Sequence, residues 1–143
     1  MPQLQKSLEE GKHISFPPRG TSMRPMLRQG IDTVELTAAP EKLKKFDLPL
    51  YLRDDGQYVL HRIVKVGDAY TCVGDNQYDL EYPVRQDQIL AVACAFTRNG
   101  RRIPVTALSY RLYCVFWHYS RPFRHQLARC RYFFGKLTGK SKE

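Results

Sequence analysis

Hydrophobic positions in the first hundred residues form short runs separated by turn residues, a pattern typical of antiparallel strands. The clearest run is Tyr-Val-Leu-His-Arg-Ile-Val-Lys-Val at residues 58–66, and Gly67-Asp68 turns it into a second run at residues 70–73. Residues 89–98 are rich in Ala and Val, and the Asn99-Gly100 pair after them is a strong hairpin signal. Further short runs lie at residues 14–16, 33–36 and 46–53. The pattern predicts a mainly β fold.

From residue 107 the apolar spacing changes from that of strands to that of helices. One set of apolar residues recurs every three or four positions before Pro122, and a second set recurs after it: Leu108, Leu112, Val115 and Tyr119, then Phe123, Leu127, Cys130 and Phe134. Arginines occupy the other sides of this second segment, which indicates a basic amphipathic helix. We therefore expect a β domain over residues 1–106, opened by a short helix within residues 1–12, and a helical tail over residues 107–143.

Charge separates the same two regions. The chain has 143 residues, the size of one ordinary domain, and a net charge of +9. Residues 1–106 hold 15 basic and 13 acidic residues, whereas residues 107–143 hold 8 basic residues and one acidic residue. This asymmetry argues against a uniformly basic protein of the ribosomal or histone type. It favours a basic segment at residues 107–143 with a local function, and nine of the chain's seventeen aromatic residues lie in this segment.

Two interpretations of the tail stand side by side. Its arginines and aromatic rings suit peripheral contact of residues 107–137 with a membrane that carries anionic lipid, and they equally suit a helix packed on the sheet with solvated arginines. Nucleic-acid binding through Arg101-Arg102 and the tail has no motif to support it. No apolar run is long enough for a spanning helix, and charged residues interrupt the N-terminus where a signal peptide would be apolar. The expected location is cytoplasmic or peripheral at the cytoplasmic membrane.

The cysteines give no sign of a metal or redox site. Cys72, Cys94, Cys114 and Cys130 are scattered without a Cys-x-x-Cys pair, so we expect buried free thiols. Cys114 and His118 are four positions apart on a helix, but no second ligand pair follows them. The sequence therefore predicts no metal and no cofactor.

Ser22 and His61 are the residues that could carry chemistry. Ser22 lies in a turn bounded by Gly, Thr and Pro, where a hydroxyl can project clear of regular structure. A serine becomes a useful nucleophile only when a base lies within hydrogen-bonding reach, and a histidine titrates in the range that suits this task. A serine in a turn is usually a cap, however, and a histidine in a strand is usually structural.

Three short segments carry a family resemblance. Ser-Met-Arg-Pro-Met-Leu at residues 22–27 resembles the serine box of the signal peptidase I superfamily, which includes the LexA-type autoproteases. Tyr-Val-Leu-His-Arg-Ile-Val at residues 58–64 resembles the box of the general base, and Gly-Asp-Asn at residues 74–76 resembles a third family box. They occur in the family's order and cover roughly residues 14–98. The resemblance implies a coiled antiparallel sheet or partial barrel of the signal-peptidase type.

The resemblance also implies residue roles. Ser22 would be the nucleophile and His61 the general base, as in the Ser–His branch of the superfamily. An acidic residue assists the histidine in that branch, and we rank Asp75 first because its box matches, with Asp79 and Glu81 behind it. Met23 and Pro25 would shape the wall of the substrate cleft, with plain packing as the alternative. Gly20 stands where some relatives have a serine that assists the oxyanion hole, so backbone N–H groups would do this work.

The expected function is that of a serine endopeptidase that cuts extended leader or signal-like peptides with small residues near the cleavage site. Only 21 residues precede Ser22, and they lack the membrane anchor that signal peptidases usually carry. Two alternatives belong to other classes. One is an inactive peptide-binding module of the same fold, and the other is a basic adaptor for a membrane or a nucleic acid.

Overall fold

The computed structural model describes residues 2–137. The protein is mainly β, with two antiparallel sheets and a pair of helices after them. The elements in chain order are α1 (Pro2–Glu9), β1 (Ile14–Phe16), β2 (Thr33–Thr37), β3 (Pro49–Leu52), β4 (Tyr58–Leu60), β5 (Arg62–Val66), β6 (Tyr70–Val73), β7 (Glu81–Val84), β8 (Ile89–Arg98), β9 (Arg101–Pro104), α2 (Leu108–Tyr119) and α3 (Arg121–Leu137).

The larger sheet is organised around β8. Its strand order is β1-β2-β8-β3-β4, and β9 pairs with the second half of β8. Asn99 and Gly100 have φ angles of 51° and 73°, as a tight hairpin between β8 and β9 requires. The hairpin expected at this pair is therefore present. In β2 the alternate residues Val34 and Leu36 are fully buried, which is the pattern of a strand with one face on the core.

The smaller sheet has the order β5-β6-β7 and begins at Arg62. The sequence predicts one strand over residues 58–66, but the chain pairs with β3 up to Leu60 and with β6 from Arg62 onward. His61 is the single residue between the two sheets. The hydrophobic pattern did not predict β7, which contains Pro83 and lies at the edge of its sheet, where proline is tolerated. Over residues 2–137 the two sheets do not close into a barrel.

Two apolar clusters hold the fold together. The first joins the larger sheet to α1, to the turn after Gly20 and to α2, and the second fills the space around the smaller sheet. The largest fully buried side chains of the two clusters include Leu27, Leu36, Phe96, Tyr51 and Ile63.

The two C-terminal helices differ in how they join this body. Tyr110 and Cys114 of α2 belong to the first apolar cluster, so buried contacts continue across the boundary expected between residues 106 and 107. The α3 helix has no buried residue. Residues 138–143 of the expected tail lie outside the described part. In residues 2–137, no helix combines the length and the apolar character needed to cross a bilayer.

Candidate active site

Ser22 lies in a tight turn that is anchored by buried residues. The backbone N–H of Leu27 donates to Met23 O at 2.9 Å, and Met23, Met26 and Leu27 are all buried in the first apolar cluster. These anchors leave Ser22 half-buried and Pro25 exposed on the outer side of the turn. The burial of Met23 favours its packing role over a place in the substrate wall, whereas Pro25 is accessible.

The Gly-Asp-Asn segment contacts this turn through its first and third residues. The backbone N–H of Asn76 donates to Ser22 O at 2.8 Å, and the Asn76 side-chain amide donates to Thr21 O at 3.3 Å. A Cβ atom on Gly74 would lie 2.6 Å from Ser22 O and 3.1 Å from Ser22 Cβ. A contact of 2.6 Å is too short for any side chain, so the close approach requires glycine at this position.

Gly74 also follows the strand that pairs with the residue after His61. Arg62 of β5 is paired with Val73 of β6, and His61 and Gly74 are the next residues along the two chains. Gly74 is therefore in contact with Ser22 and lies one residue beyond the pair formed by Arg62 and Val73. Within residues 2–137 neither the Ser22 hydroxyl nor His61 Nε2 makes a hydrogen bond, so no hydrogen bond joins the two groups.

The other ring nitrogen of His61 faces a tyrosine and a carboxylate. His61 Nδ1 lies 3.4 Å from the Tyr51 hydroxyl and 3.6 Å from Glu81 Oε2. The Tyr51 hydroxyl donates its own proton to Glu81 Oε2 at 2.8 Å, so its oxygen can only accept from the ring. A proton on Nδ1 is therefore favoured, and Nε2 carries the lone pair. This is the tautomer that a general base needs.

Glu81 is held as an anion beside the histidine. Arg53 donates to both carboxylate oxygens, from Nε to Oε1 at 2.6 Å and from Nη2 to Oε2 at 2.7 Å. Partial burial works to raise the pKa of Glu81, but the hydrogen bonds from Arg53 and Tyr51 outweigh it and lower the pKa. A negative charge near Nδ1 would stabilise the imidazolium that forms when the ring accepts a proton.

Burial sets the resting charge of His61. Its side chain is almost fully buried, and this loss of hydration lowers the pKa of His61 below its ordinary value of 6.5, with Glu81 acting in the opposite direction. The ring is consequently neutral at pH 7 and able to accept a proton.

Asp75, which the sequence ranks first as the acid, is placed differently. Its carboxylate accepts two hydrogen bonds from the fully buried Arg62, at 2.8 and 2.9 Å, and one from the Tyr113 hydroxyl at 2.8 Å. Its backbone oxygen accepts a hydrogen bond from Trp117 Nε1 at 2.7 Å. Asp75 thus fastens α2 to the strand that follows His61. Asp79 is exposed, so Glu81, ranked behind Asp75, is the acid that the fold brings to the His61 ring.

Among residues 2–137, the backbone N–H groups of Thr21, Ser22 and Met23 at the turn have no acceptor. The N–H of Gly20 donates to Gln29 Oε1 at 3.1 Å, but the N–H of Ser22 donates to no acceptor within residues 2–137. A free N–H on the candidate nucleophile is suited to hold an oxyanion that forms at the attacked carbonyl.

The described residues offer one group of ligand atoms on which a cation could be held, away from this site. Atoms of His13, Glu35 and Cys94 lie within 4.8 Å of one another. Arg102 already donates to both oxygens of Glu35, at 2.9 and 2.8 Å, and its positive charge disfavours a cation there. The arrangement is better explained as an arginine–glutamate pair across β2 and β9.

Comparison of the chain with protein-family models, with curated proteins and with solved structures finds no match. The resemblance to signal peptidases therefore stays a prediction from three sequence segments.

Proposed function

We propose that the protein is a serine endopeptidase of the signal-peptidase type, with Ser22 as nucleophile and His61 as general base. The observation that supports the proposal is the close packing of the serine turn on Gly74, directly after the strand that pairs with the residue following His61. Ser22, His61 and Gly74 come from the three segments that the resemblance singles out.

The proposed reaction proceeds through an acyl-enzyme. Ser22 Oγ attacks the peptide carbonyl while His61 Nε2 takes its proton, and the Ser22 N–H stabilises the oxyanion. His61 then gives the proton to the departing amine, and a water molecule activated by the same ring hydrolyses the ester. Glu81, through its charge and through Tyr51, keeps the Nδ1 proton in place during both steps. Hydrogen bonds of this kind often form only when substrate is bound, which is consistent with the absence of a Ser22–His61 hydrogen bond within residues 2–137.

By resemblance, the substrate is an extended leader or signal-like peptide with small residues before the scissile bond. Such a peptide can add to an exposed strand edge through backbone hydrogen bonds. The second candidate function is a peptide-binding module without catalysis, and the missing Ser22–His61 hydrogen bond is the observation that favours it.

A peptide library rich in Ala-x-Ala sites distinguishes the two. Fragments identified by mass spectrometry should appear with the unchanged protein and with the control Ser15→Ala, which alters an exposed serine in β1. They should disappear with Ser22→Ala and with His61→Ala, while the exposed His13 serves as the control histidine. Peptides that are bound but never cut would establish the binding module.

A further inference from the structure

The outer surface of α2 and α3 is apolar and uncovered. Each helix presents hydrophobic side chains three or four positions apart, and between 42% and 71% of each of these side chains is exposed. We define the apolar stripe by six of them, Leu108, Leu112, Phe116, Tyr119, Phe123 and Leu127. Large contiguous apolar surfaces are rare on proteins that remain free in water, so this stripe indicates a docking surface.

The stripe lies on the side of α2 that faces away from the body. Tyr110, Tyr113, Cys114 and Trp117 form the opposite side, where they contact the apolar core or the Arg62–Asp75 pair. Tyr110 is 6% exposed and Cys114 is 2% exposed, whereas Phe116 is 67% exposed. Because the inner side is occupied, the stripe cannot be covered by rotation of α2 on the sheet.

The stripe continues from α2 into α3 without losing its helical spacing. The N–H of Ser120 donates to Phe116 O at 2.9 Å, and the N–H of Arg124 donates to Ser120 O at 3.0 Å. Ser120 itself has helical φ and ψ angles of −81° and −8°. At a rise of 1.5 Å per residue, the 12 residues of α2 are about 18 Å long.

The charge around the stripe has one sign. Residues 107–137 contain no Asp or Glu and carry six basic side chains, namely Arg111, Arg121, Arg124, Arg129, Arg131 and Lys136. Arg131 is four positions after Leu127, beside the stripe on α3, whereas Arg121 and Arg129 are two positions from Phe123 and Leu127 and so lie on the far side of the helix. Apolar residues on one face and cations beside and behind them are the composition of helices that lie in a membrane interface.

We infer that the apolar stripe docks on the surface of a bilayer that contains anionic lipid. A second copy of this chain is a poor occupant, because two such helix pairs would place twelve positive charges together without a single carboxylate. A nucleic acid would pair with the arginines but would leave Leu108, Leu112 and Phe116 uncovered. An anionic bilayer would cover the apolar stripe with its hydrocarbon and neutralise the basic side chains with its head groups. This docking does not depend on catalysis.

Vesicle binding of the full chain tests this docking. The protein should sediment with vesicles of phosphatidylcholine mixed with phosphatidylglycerol, and much less with vesicles of phosphatidylcholine alone. Added salt should weaken the binding. Equal binding to the two vesicle types would overturn the assignment of an anionic surface.

Matched variants separate insertion of the stripe from simple charge attraction. Phe123→Asp changes a stripe residue that is 67% exposed, and Tyr132→Asp changes an aromatic residue that is 76% exposed. Tyr132 is nine positions further along α3, which is half a turn away around the helix. Both variants add one negative charge. Phe123→Asp should weaken vesicle binding about tenfold more than Tyr132→Asp, because only the first removes a side chain that enters the bilayer.

Two results would overturn the inference. One is an equal loss of binding in both variants. The other is a dimer in light scattering that Phe123→Asp dissociates, which would assign the stripe to a second copy. Trp117, the one tryptophan in the sequence, contacts Asp75 on the inner side of α2, so unchanged Trp117 emission shows that a variant has kept its fold.

Discussion

Gly74→Ala tests the contact between the serine turn and the Gly-Asp-Asn segment. The new methyl group would meet Ser22 O at 2.6 Å and Ser22 Cβ at 3.1 Å, with the Gln77 side-chain oxygen at 2.9 Å. The φ angle of Gly74 lies outside the left-handed region, so the substitution carries no backbone strain of its own. The whole effect must come from the collision with Ser22 and Gln77.

The size of the effect follows from three contributions. Overpacking costs about 1–3 kcal/mol, and the hydrogen bond from Asn76 N–H to Ser22 O, if lost, adds about 0.5–1.5 kcal/mol. Replacing glycine by alanine stabilises the protein by about 0.4–1 kcal/mol, because alanine lowers the conformational entropy of the unfolded chain. With the hydrogen bond lost, the free energy of unfolding should therefore fall by about 0.5–4 kcal/mol. For a domain of this size, Tm should fall on the order of 2–12 °C.

The matched control is Gly67→Ala. A Cβ at Gly67 would meet only Ala69 O, at 3.7 Å, which is an ordinary contact, and Gly67 also has no left-handed φ. Its free energy of unfolding should stay within about 0.5 kcal/mol of the unchanged protein. Urea denaturation followed by Trp117 fluorescence measures both variants under the same conditions.

Peptide cleavage by the two variants tests the site itself. If the turn moves by about 1 Å, the proposed catalysis should fall roughly a hundredfold in Gly74→Ala and remain in Gly67→Ala. Equal stability of the two variants would refute the packing described for Gly74. Loss of stability with full cleavage would keep the packing and refute the placement of Ser22 in the reaction.

Three further predictions concern the groups around His61. Cleavage should rise with pH through a pKa below 6.5, because burial lowers the pKa of His61 and favours the neutral ring. The neutral ring also stabilises the fold; this stability is present above pH 6.5 and should be lost as pH falls through the lowered pKa. Profiles of kcat/KM and of the urea midpoint against pH measure the two effects. Glu81→Gln removes the negative charge that opposes the lowering of the His61 pKa, so the acid side of the pH–activity profile should move to lower pH and kcat should fall at least about tenfold. An unchanged acid side of the profile would contradict the role of Glu81. Asp75→Asn leaves the buried Arg62 without its counter-charge and should cost about 3–5 kcal/mol in urea denaturation, against about 0.5 kcal/mol or less for the exposed Asp79→Asn.

Local patterns predicted most of the strands and both C-terminal helices. Asn99-Gly100 sets its own turn geometry, and the spacing of Leu108, Leu112, Phe123 and Leu127 sets the helices, since each signal is carried by neighbouring residues. The change of sheet at His61 was not predictable in this way. It depends on partners of Leu60 and Arg62 that are far away in the sequence, and the apolar run on both sides conceals it.

The candidate site was predicted in its segments but not in its acid. Ser22, His61 and the glycine box were identified from short motifs, whose residues act close to one another along the chain. Glu81 reaches His61 only because Tyr51 of one sheet and β7 of the other converge on the ring. Asp75 matched the motif better, but the buried Arg62 beside it takes its carboxylate. An arginine directly after the histidine was the one sequence signal that could have indicated this pairing.

Acylation of Ser22 by an activated ester shows whether this serine is the nucleophile. The protein is mixed with an activated ester of N-acetylalanine, quenched with acid, and analysed by intact-protein and peptide mass spectrometry. We expect one acyl group on Ser22, at full level in Ser15→Ala, strongly reduced in His61→Ala and absent in Ser22→Ala. An unmodified Ser22, or an acyl group that forms equally well without His61, would contradict it.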